Sequence, residues 1–327
     1  MRDQSERLMR LLRGGTCDRP PLFEPWFAMG GFLRRRYGRG GIDGYLAMSA
    51  DLGHAAVPLS GPDTSNFWAA EVERIESTGV WYGGGALREP EQLRARPEPD
   101  YDAQVEPMLR QRRMCADAGV ACWAVLGWCF DRIAASMGLE RFALEVYDRP
   151  EFVREAFEWV ERRNQRAVAR ILAKVKPDFV LYNGDCAYKT GPMISPAMMR
   201  DLTFECSKKT VDMVRDLGLP FAFHTDGKLD DVIPLLLDLG ICAVHGCEKQ
   251  ANDLAFLVDR FGGDIALCGN MDVVFLKEAT PPQIVEATRE MIAVGNRKGR
   301  FIAGCNTSPQ DYIPEENYVA MCRAIAE

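Results

Sequence analysis

Short apolar runs of β character recur along the chain, separated by longer stretches with helical spacing. That alternation restricts the fold to the α/β class with a mainly parallel sheet. Eight runs read this way: PLFEPWF (21–27), AAVPLSG (55–61), VACWAVLGW (120–128), DFVLYNGD (178–185), PFAFHTDG (220–227), ICAVHGCE (241–248), IALCGNMD (265–272) and FIAGCNTS (301–308). The intervening segments carry helix punctuation. In SPAMMRDLTFECSKKTVDMVRDLGLP, Ser195 suits an N-cap, Pro196 the first helical position and Gly218 the C-terminal end. RPEFVREAFEWVERRNQRAVARILAKVKP (149–177) is a second long helical stretch. Eight such units predict a closed (β/α)8 TIM barrel, with an open α/β sheet as the alternative. Residues 62–105 break the rhythm: VERIES and GVWYGG flank a turn and a Pro- and charge-rich connector follows. A β-hairpin insertion after the second strand is expected there, serving as a lid, a substrate wall or a plain surface hairpin. Nothing marks a second domain, so residues 1–327 read as one.

Charge and cysteine usage exclude several function classes. The chain of 327 residues has 40 Lys+Arg against 47 Asp+Glu, a net charge of −7, which is wrong for a nucleic-acid groove. The dense basic run Arg34-Arg35-Arg36 reads as a solvated helix face. Eleven cysteines, an odd number scattered from Cys17 to Cys322 without a C-x-x-C pair, imply free thiols in a reducing compartment. The N-terminal MRDQSERLMRLLRGG lacks the apolar core of a signal peptide, and IPLLLDLGICAV is too short and too interrupted to cross a bilayer. A cytoplasmic protein acting on a small molecule is expected, away from membranes, and a homodimer is compatible with it.

In a parallel barrel, the strand C-terminal ends and the loops after them form the mouth where chemistry is done. The fifth run ends His224-Thr225-Asp226-Gly227. Residues two apart share a face, so His224 and Asp226 converge, and Gly227 lets the chain turn without a side chain in the way. The fourth run ends Tyr182-Asn183-Gly184-Asp185, the sixth His245-Gly246-Cys247-Glu248, the seventh Gly269-Asn270-Met271-Asp272, the eighth Gly304-Cys305-Asn306, and the first places Glu24 beside Trp26. Imidazole, carboxylate and thiol groups thus gather at one end of consecutive strands, the inventory of a metal or acid/base site. Taken singly, each has a plainer reading. His54 is structural, His245 faces a helix, Cys268 is core, and Cys305 alone is a small buried hydrophobe.

The segments KPDFVLYNGDCAYKTGPMISPAMMRDL, LPFAFHTDGKLDDVIPLLLDLGICAVHGCE, FGGDIALCGNMD and GRFIAGCNTSPQDYIPEENYVAM, in that order and spacing, resemble the uroporphyrinogen decarboxylase superfamily over roughly residues 120–327. That superfamily includes cobalamin- and coenzyme-M-linked methyltransferases and, more distantly, the cobalamin-independent methionine synthase barrel. The resemblance implies a (β/α)8 barrel with its site at the strand C-terminal ends. The porphyrinogen decarboxylases carry arginines for substrate propionates after the first strand, where this chain has Glu24-Pro25-Trp26-Phe27. An acidic, apolar entry suits a polycarboxylate poorly. Asp63 is near the position of their acid after the second strand, but out of register.

The methyltransferase members bind zinc through H-x-C after the fifth strand and a cysteine after the eighth, and the methionine synthase relatives add a glutamate after the sixth. By resemblance, His224 and Cys305 match, Glu248 takes the glutamate position and Asp226 replaces the paired cysteine. Such a set is competent for Zn²⁺, and also for Mn²⁺ or Fe²⁺. The implied function is a zinc-dependent methyltransferase or demethylase component acting on a methyl group carried by a corrinoid or a tetrahydrofolate-type pterin, with a corrinoid protein as partner. His224, Asp226 and Asp185 are the expected catalytic groups; Glu24, Trp26, Tyr182, Trp128 and Asn270 are the expected substrate contacts. The alternatives are a metal-free decarboxylase of a small non-porphyrin substrate, with His224 and Asp185 as acid and base, and a corrinoid-binding protein without catalysis.

Overall fold

The computed structural model describes residues 2–68, 72–75, 79–82 and 85–327. Its strands are β1 (Ala56–Pro58), β2 (Val72–Ile75), β3 (Gly79–Tyr82), β4 (Ala121–Gly127), β5 (Phe179–Asn183), β6 (Ala187–Tyr188), β7 (Gly191–Pro192), β8 (Phe221–His224), β9 (Ala243–His245), β10 (Ala266–Met271) and β11 (Phe301–Cys305). Seven form one curled sheet in the order β1-β4-β5-β8-β9-β10-β11, and every neighbouring pair in it is parallel. Helices lie between successive strands and cover the outer face, giving a mixed α/β, TIM-barrel-like fold.

The first run of the sequence differs from expectation. It forms no strand but bridges the two sheet edges, with Leu22 paired in parallel to both His54 and Ala303. Ala55 N–H donates to the Leu22 carbonyl at 2.8 Å, and Phe23 N–H to the Ala303 carbonyl at 3.0 Å. Pro21 and Pro25 have no N–H to offer, so the ladder cannot lengthen around this link. The expected hairpin insertion falls partly on residues 69–71, 76–78 and 83–84, outside the described residues; β2 and β3 themselves pair antiparallel.

Strand parity sorts side chains between two cores. Ala56, Ala121, Trp123, Phe179, Leu181, Ala222, Ala243, Ala266, Cys268 and Ile302 pack inside the sheet's curl. Residues between them, such as Val57, Val180, Tyr182, Phe223, Val244 and Ala303, pack against the helices. Phe23 meets Trp123 and Phe179 edge-on, at 6.1 and 5.5 Å between centroids, and fills one half of the interior. Alanines fill the other. The helix Arg2–Leu12 closes the N-terminal end with Leu8, Leu11 and Leu12. Its Ser5 hydroxyl donates to the Ala55 carbonyl at 2.6 Å and accepts from Ala121 N–H at 3.1 Å.

Local signals act as the sequence implies where they are strong. Ser195 accepts from Met198 N–H at 3.2 Å, Pro196 opens the helix Pro196–Asp216, and Gly218 follows it at φ +76°. At the mouth, Gly227 (φ +89°) and Gly246 (φ +103°) sit where a Cβ would strike the Ala187 and Thr225 carbonyl oxygens at 2.4 and 2.0 Å. Only glycine lets these loops pack so closely over the site. None of the described helices is long and apolar enough to cross a membrane.

Candidate active site

His224 ends β8 and points inward by the same alternation that buries Ala222 inside. Its neighbour in register across the sheet is His245 at the end of β9. The two Nδ1 atoms are 2.7 Å apart, and His245 Nε2 lies 3.1 Å from the Cys305 carbonyl oxygen. Proton positions follow from these partners. A carbonyl only accepts, so His245 Nε2 carries the hydrogen; burial pushes the pKa of both imidazoles down and keeps them neutral. His245 Nδ1 is then a bare acceptor and His224 Nδ1 the donor. His224 Nε2 is left with a free lone pair.

That lone pair faces two carboxylates. Asp185 Oδ1 is 3.9 Å from it and Asp226 Oδ1 4.0 Å, too far for hydrogen bonds. The three residues form the one group of nitrogen, oxygen or sulfur ligands found among the described residues that could share a cation. Asp226 N–H donates to Asp185 Oδ1 at 3.0 Å, which ties the β8 loop to the β5 loop. Asp226 Oδ1 is buried and has no hydrogen-bond partner. Burial first, then the charges of Asp185 and Glu248, push the Asp226 pKa up to about 8, against a hydrogen bond from Thr307. An orphaned carboxylate oxygen, a directed imidazole lone pair and a half-exposed carboxylate are a donor set that fits a divalent cation.

Two members of the expected ligand set stand apart from this group. Glu248 Oε2 accepts from Gly227 N–H at 2.7 Å, so its carboxylate braces the turn after β8. Cys305 shares the outer buried layer with Phe301 and Ala303, whereas Ile302 packs inside. Parity turns the thiol toward Glu24 and the last helix, and burial and the Glu24 carboxylate push its pKa far up. Thr307, two residues on, is what the loop after β11 brings to Asp226.

The expected substrate contacts divide. Trp26 stands over the site, its ring edge-on to His224 at 5.9 Å and to Trp123 at 5.4 Å. Glu24 is buried beside it; its carboxylate accepts from Cys305 N–H at 3.0 and 3.2 Å, and burial pushes its pKa up to about 8. Both line a cavity of about 370 Å³ with Phe27, Tyr45 and His54. Tyr182 and Trp128 face the other way. Tyr182 donates to Glu161 Oε2 at 2.7 Å and Trp128 Nε1 donates to Ser207 Oγ at 2.9 Å, both against the helix layer. Tyr182 follows inward Leu181 and is therefore outward, and the chain has already left β4 at Trp128. Asn270 is buried in β10, its N–H directed at Met291 sulfur, and has no hydrogen bond to the His224 group.

Residue-by-residue reading missed His245 and Thr307. His245 was open to detection: it ends the run after His224's, two residues past the inward Ala243. Thr307 lies beyond the strand and had no such signal. His54, by contrast, is structural, buried with Nε2 3.1 Å from the Tyr318 hydroxyl.

The sequence profile of the uroporphyrinogen decarboxylase (URO-D) family matches residues 88–327. No curated protein matches the chain. Among solved structures, a methyltransferase from Methanosarcina mazei superposes with a TM-score of 0.77 at 15% identity, covering 99% of this chain and 98% of that one. A D-psicose 3-epimerase from Clostridium cellulolyticum H10 is similar at a TM-score of 0.48 and 9% identity, over 93% of this chain and 96% of that one.

Proposed function

The chain belongs to the uroporphyrinogen decarboxylase (URO-D) family, and from that premise we propose that it is a divalent-cation-dependent methyltransferase or demethylase component rather than a porphyrinogen decarboxylase. The observation that carries this reading is the His224 Nε2 lone pair, held toward the orphaned Asp226 Oδ1 and Asp185 Oδ1 at about 4 Å. Likeness of fold to the Methanosarcina methyltransferase supports it. The run Glu24-Pro25-Trp26-Phe27 supports the negative half, because it offers no guanidinium to pair with a polycarboxylate at that entry.

Asp185, His224 and Asp226 would hold the cation, with nitrogen and oxygen donors in place of a sulfur-rich set; this suits zinc and equally Mn²⁺ or Fe²⁺. Bound there, the cation supplies Lewis acidity that lowers the pKa of an acceptor thiol or hydroxyl. The chain's own residues do the remainder. His245 fixes the His224 tautomer, Glu248 and the glycines hold the loops, and Trp26 walls the site against water. Asp185, the most exposed of the three, would hold the cation through one carboxylate oxygen and offer the other to the acceptor's proton as a methyl group arrives from a corrinoid or pterin carrier.

A metal-free reading rests on one specific observation. With its pKa near 8, Asp226 is a neutral carboxylic acid at pH 7 beside a neutral imidazole, able to protonate the carbanion left by loss of CO₂. Elemental analysis of untagged protein separates the two. About one equivalent of zinc, manganese or iron, lost in His224→Ala and Asp226→Ala, is expected; chelator-resistant release of CO₂ from a carboxylate substrate would select the lyase instead. Cofactor retention with neither metal nor turnover would leave a carrier protein.

A further inference from the structure

A second cavity, of about 420 Å³, opens on the same rim between the end of β4 and the segment after β1. Asp63, Thr64, Asn66, Arg96, Gly127 and Arg132 are among the residues lining it. Its charged groups are two guanidiniums and one carboxylate. The carboxylate is already engaged: Asp63 accepts from Ser65 N–H at 2.7 Å and from the Ser65 hydroxyl at 3.3 Å. The guanidiniums are engaged only in part, that of Arg132 lying 5.9 Å from the centre of the Phe67 ring.

Arg132 Nε is sealed from solvent and has no hydrogen-bond partner. The nearest acid, Asp131, is 4.0 Å from it, at the limit of an ion pair, and the Arg132 side chain makes no hydrogen bond among the described residues. A buried donor left unpaired is costly, so its persistence calls for a reason. The side chain also needs Gly127 beneath it, since a Cβ there would lie 2.1 Å from Nε. Arg96 spends only its Nε, on the Ser65 carbonyl at 2.6 Å, and its guanidinium carbon lies 4.5 Å over the Trp68 ring. The stacked plane holds the two terminal amino groups in place without consuming them.

The cavity is built rather than incidental. Arg163, 1% exposed, donates to the Thr64 carbonyl at 3.1 Å and to the Arg96 and Pro97 carbonyls at 2.9 and 2.7 Å. A fully buried arginine therefore fastens together the two backbone segments that carry the cavity wall. Gly127 pairs in register with Asn183 on β5, two residues before Asp185, and Asn183 pairs with His224 on β8. Two strand spacings, about 10 Å, separate the cavity's edge from the reacting end.

We propose that this cavity recognises an oxyanion, a carboxylate, sulfonate or phosphate, at one end of an elongated small substrate whose other end reaches His224. Only the second half of that statement, the direction of the substrate, rests on the proposed reaction centre. Anion capture by Arg132 and Arg96 stands without it. Paired guanidinium forks suit the oxygens of such a group, and the free donors of Arg132 gain the acceptor they lack.

Titration calorimetry on the full chain tests it, with butyrate, propanesulfonate and inorganic phosphate as probes and butyramide as the uncharged control. At least one anion is expected to bind where butyramide does not, and the preferred probe names the oxyanion class. Arg132→Gln should weaken that binding at least tenfold, Arg132→Lys by less, and Asp63→Asn should tighten it. His224→Ala should leave the affinity unchanged, so loss of the cation site and loss of the anion site are read separately. Should Arg132→Gln fail to fold, Arg96→Gln carries the same expectation. Anions that bind no better than butyramide, or an unaltered affinity in the arginine variants, overturn the assignment.

Discussion

Two imidazoles whose Nδ1 atoms lie 2.7 Å apart share one proton, and the Cys305 carbonyl beyond them decides which ring donates it. His245 therefore acts on the site through His224, without touching what binds there. Replacing it by Ala frees His224 to flip or change tautomer, and outer partners of a ligating histidine are typically worth 10–100-fold in metal affinity. His245→Ala is thus expected to lower bound metal and turnover by about that factor at an unchanged circular-dichroism spectrum; full metal retention would remove His245 from the site. His54 gives a pH prediction. Burial lowers its folded pKa from 6.5 to about 3, so the native state holds it neutral while the unfolded chain protonates it. Its contribution to stability is complete above pH 6.5 and is lost as the pH falls from there toward 3, at up to about 1.4 kcal/mol per pH unit. His54→Gln should flatten the acid side of a stability–pH curve measured by urea unfolding. An unchanged slope between pH 6 and 4 would assign the acid sensitivity elsewhere.

At the scale of elements, stability and positioning fall to different parts. The helix Arg2–Leu12 plugs the N-terminal end with Leu11, fully buried among interior side chains. Leu11→Ala should cost about 2–5 kcal/mol in denaturant unfolding. The long helix Pro196–Asp216 depends less on any one group. Its cap is an exposed 3.2 Å hydrogen bond to Ser195, and Ser195→Ala should cost about 1 kcal/mol. Comparable losses for the two would mean the N-terminal helix is only loosely docked. Seven of the eight apolar runs become strands of the one sheet, because alternation and flanking helices reinforce each other there. The first does not, and its prolines say why: PLFEPWF has the hydrophobicity of a strand but no N–H at Pro21 or Pro25.

Across the whole molecule the eleven cysteines are all free, and only Cys206 and Cys242 are even partly exposed. Burial pushes Cys242 up to about 12, so even that thiol is a poor nucleophile at neutral pH. A disulfide-exchange reagent at pH 8 should therefore label at most two thiols in the native protein and all eleven in guanidinium. Fewer than eleven after unfolding would reveal a disulfide the fold does not contain. Burial of this kind also explains why the thiol of Cys305 offers so little as an unassisted ligand.

The mixed α/β, barrel-like architecture and the approach of His224 to Asp226 were readable from the chain alone, since helix punctuation and two-residue alternation are local properties. So was the end of the sheet at which His224 and Asp226 lie. Which polar groups meet there was not. Cys305, Tyr182 and Trp128 sit at strand ends just as His224 does, and a single residue of parity, or the point where a strand stops, turns them to the helices. His245, Thr307 and the orphaned Asp226 oxygen acquire their roles only through partners supplied by other strands. Periodicity is carried by neighbours in sequence, whereas a shared lone pair or an unmet hydrogen bond exists only between groups that folding brings together.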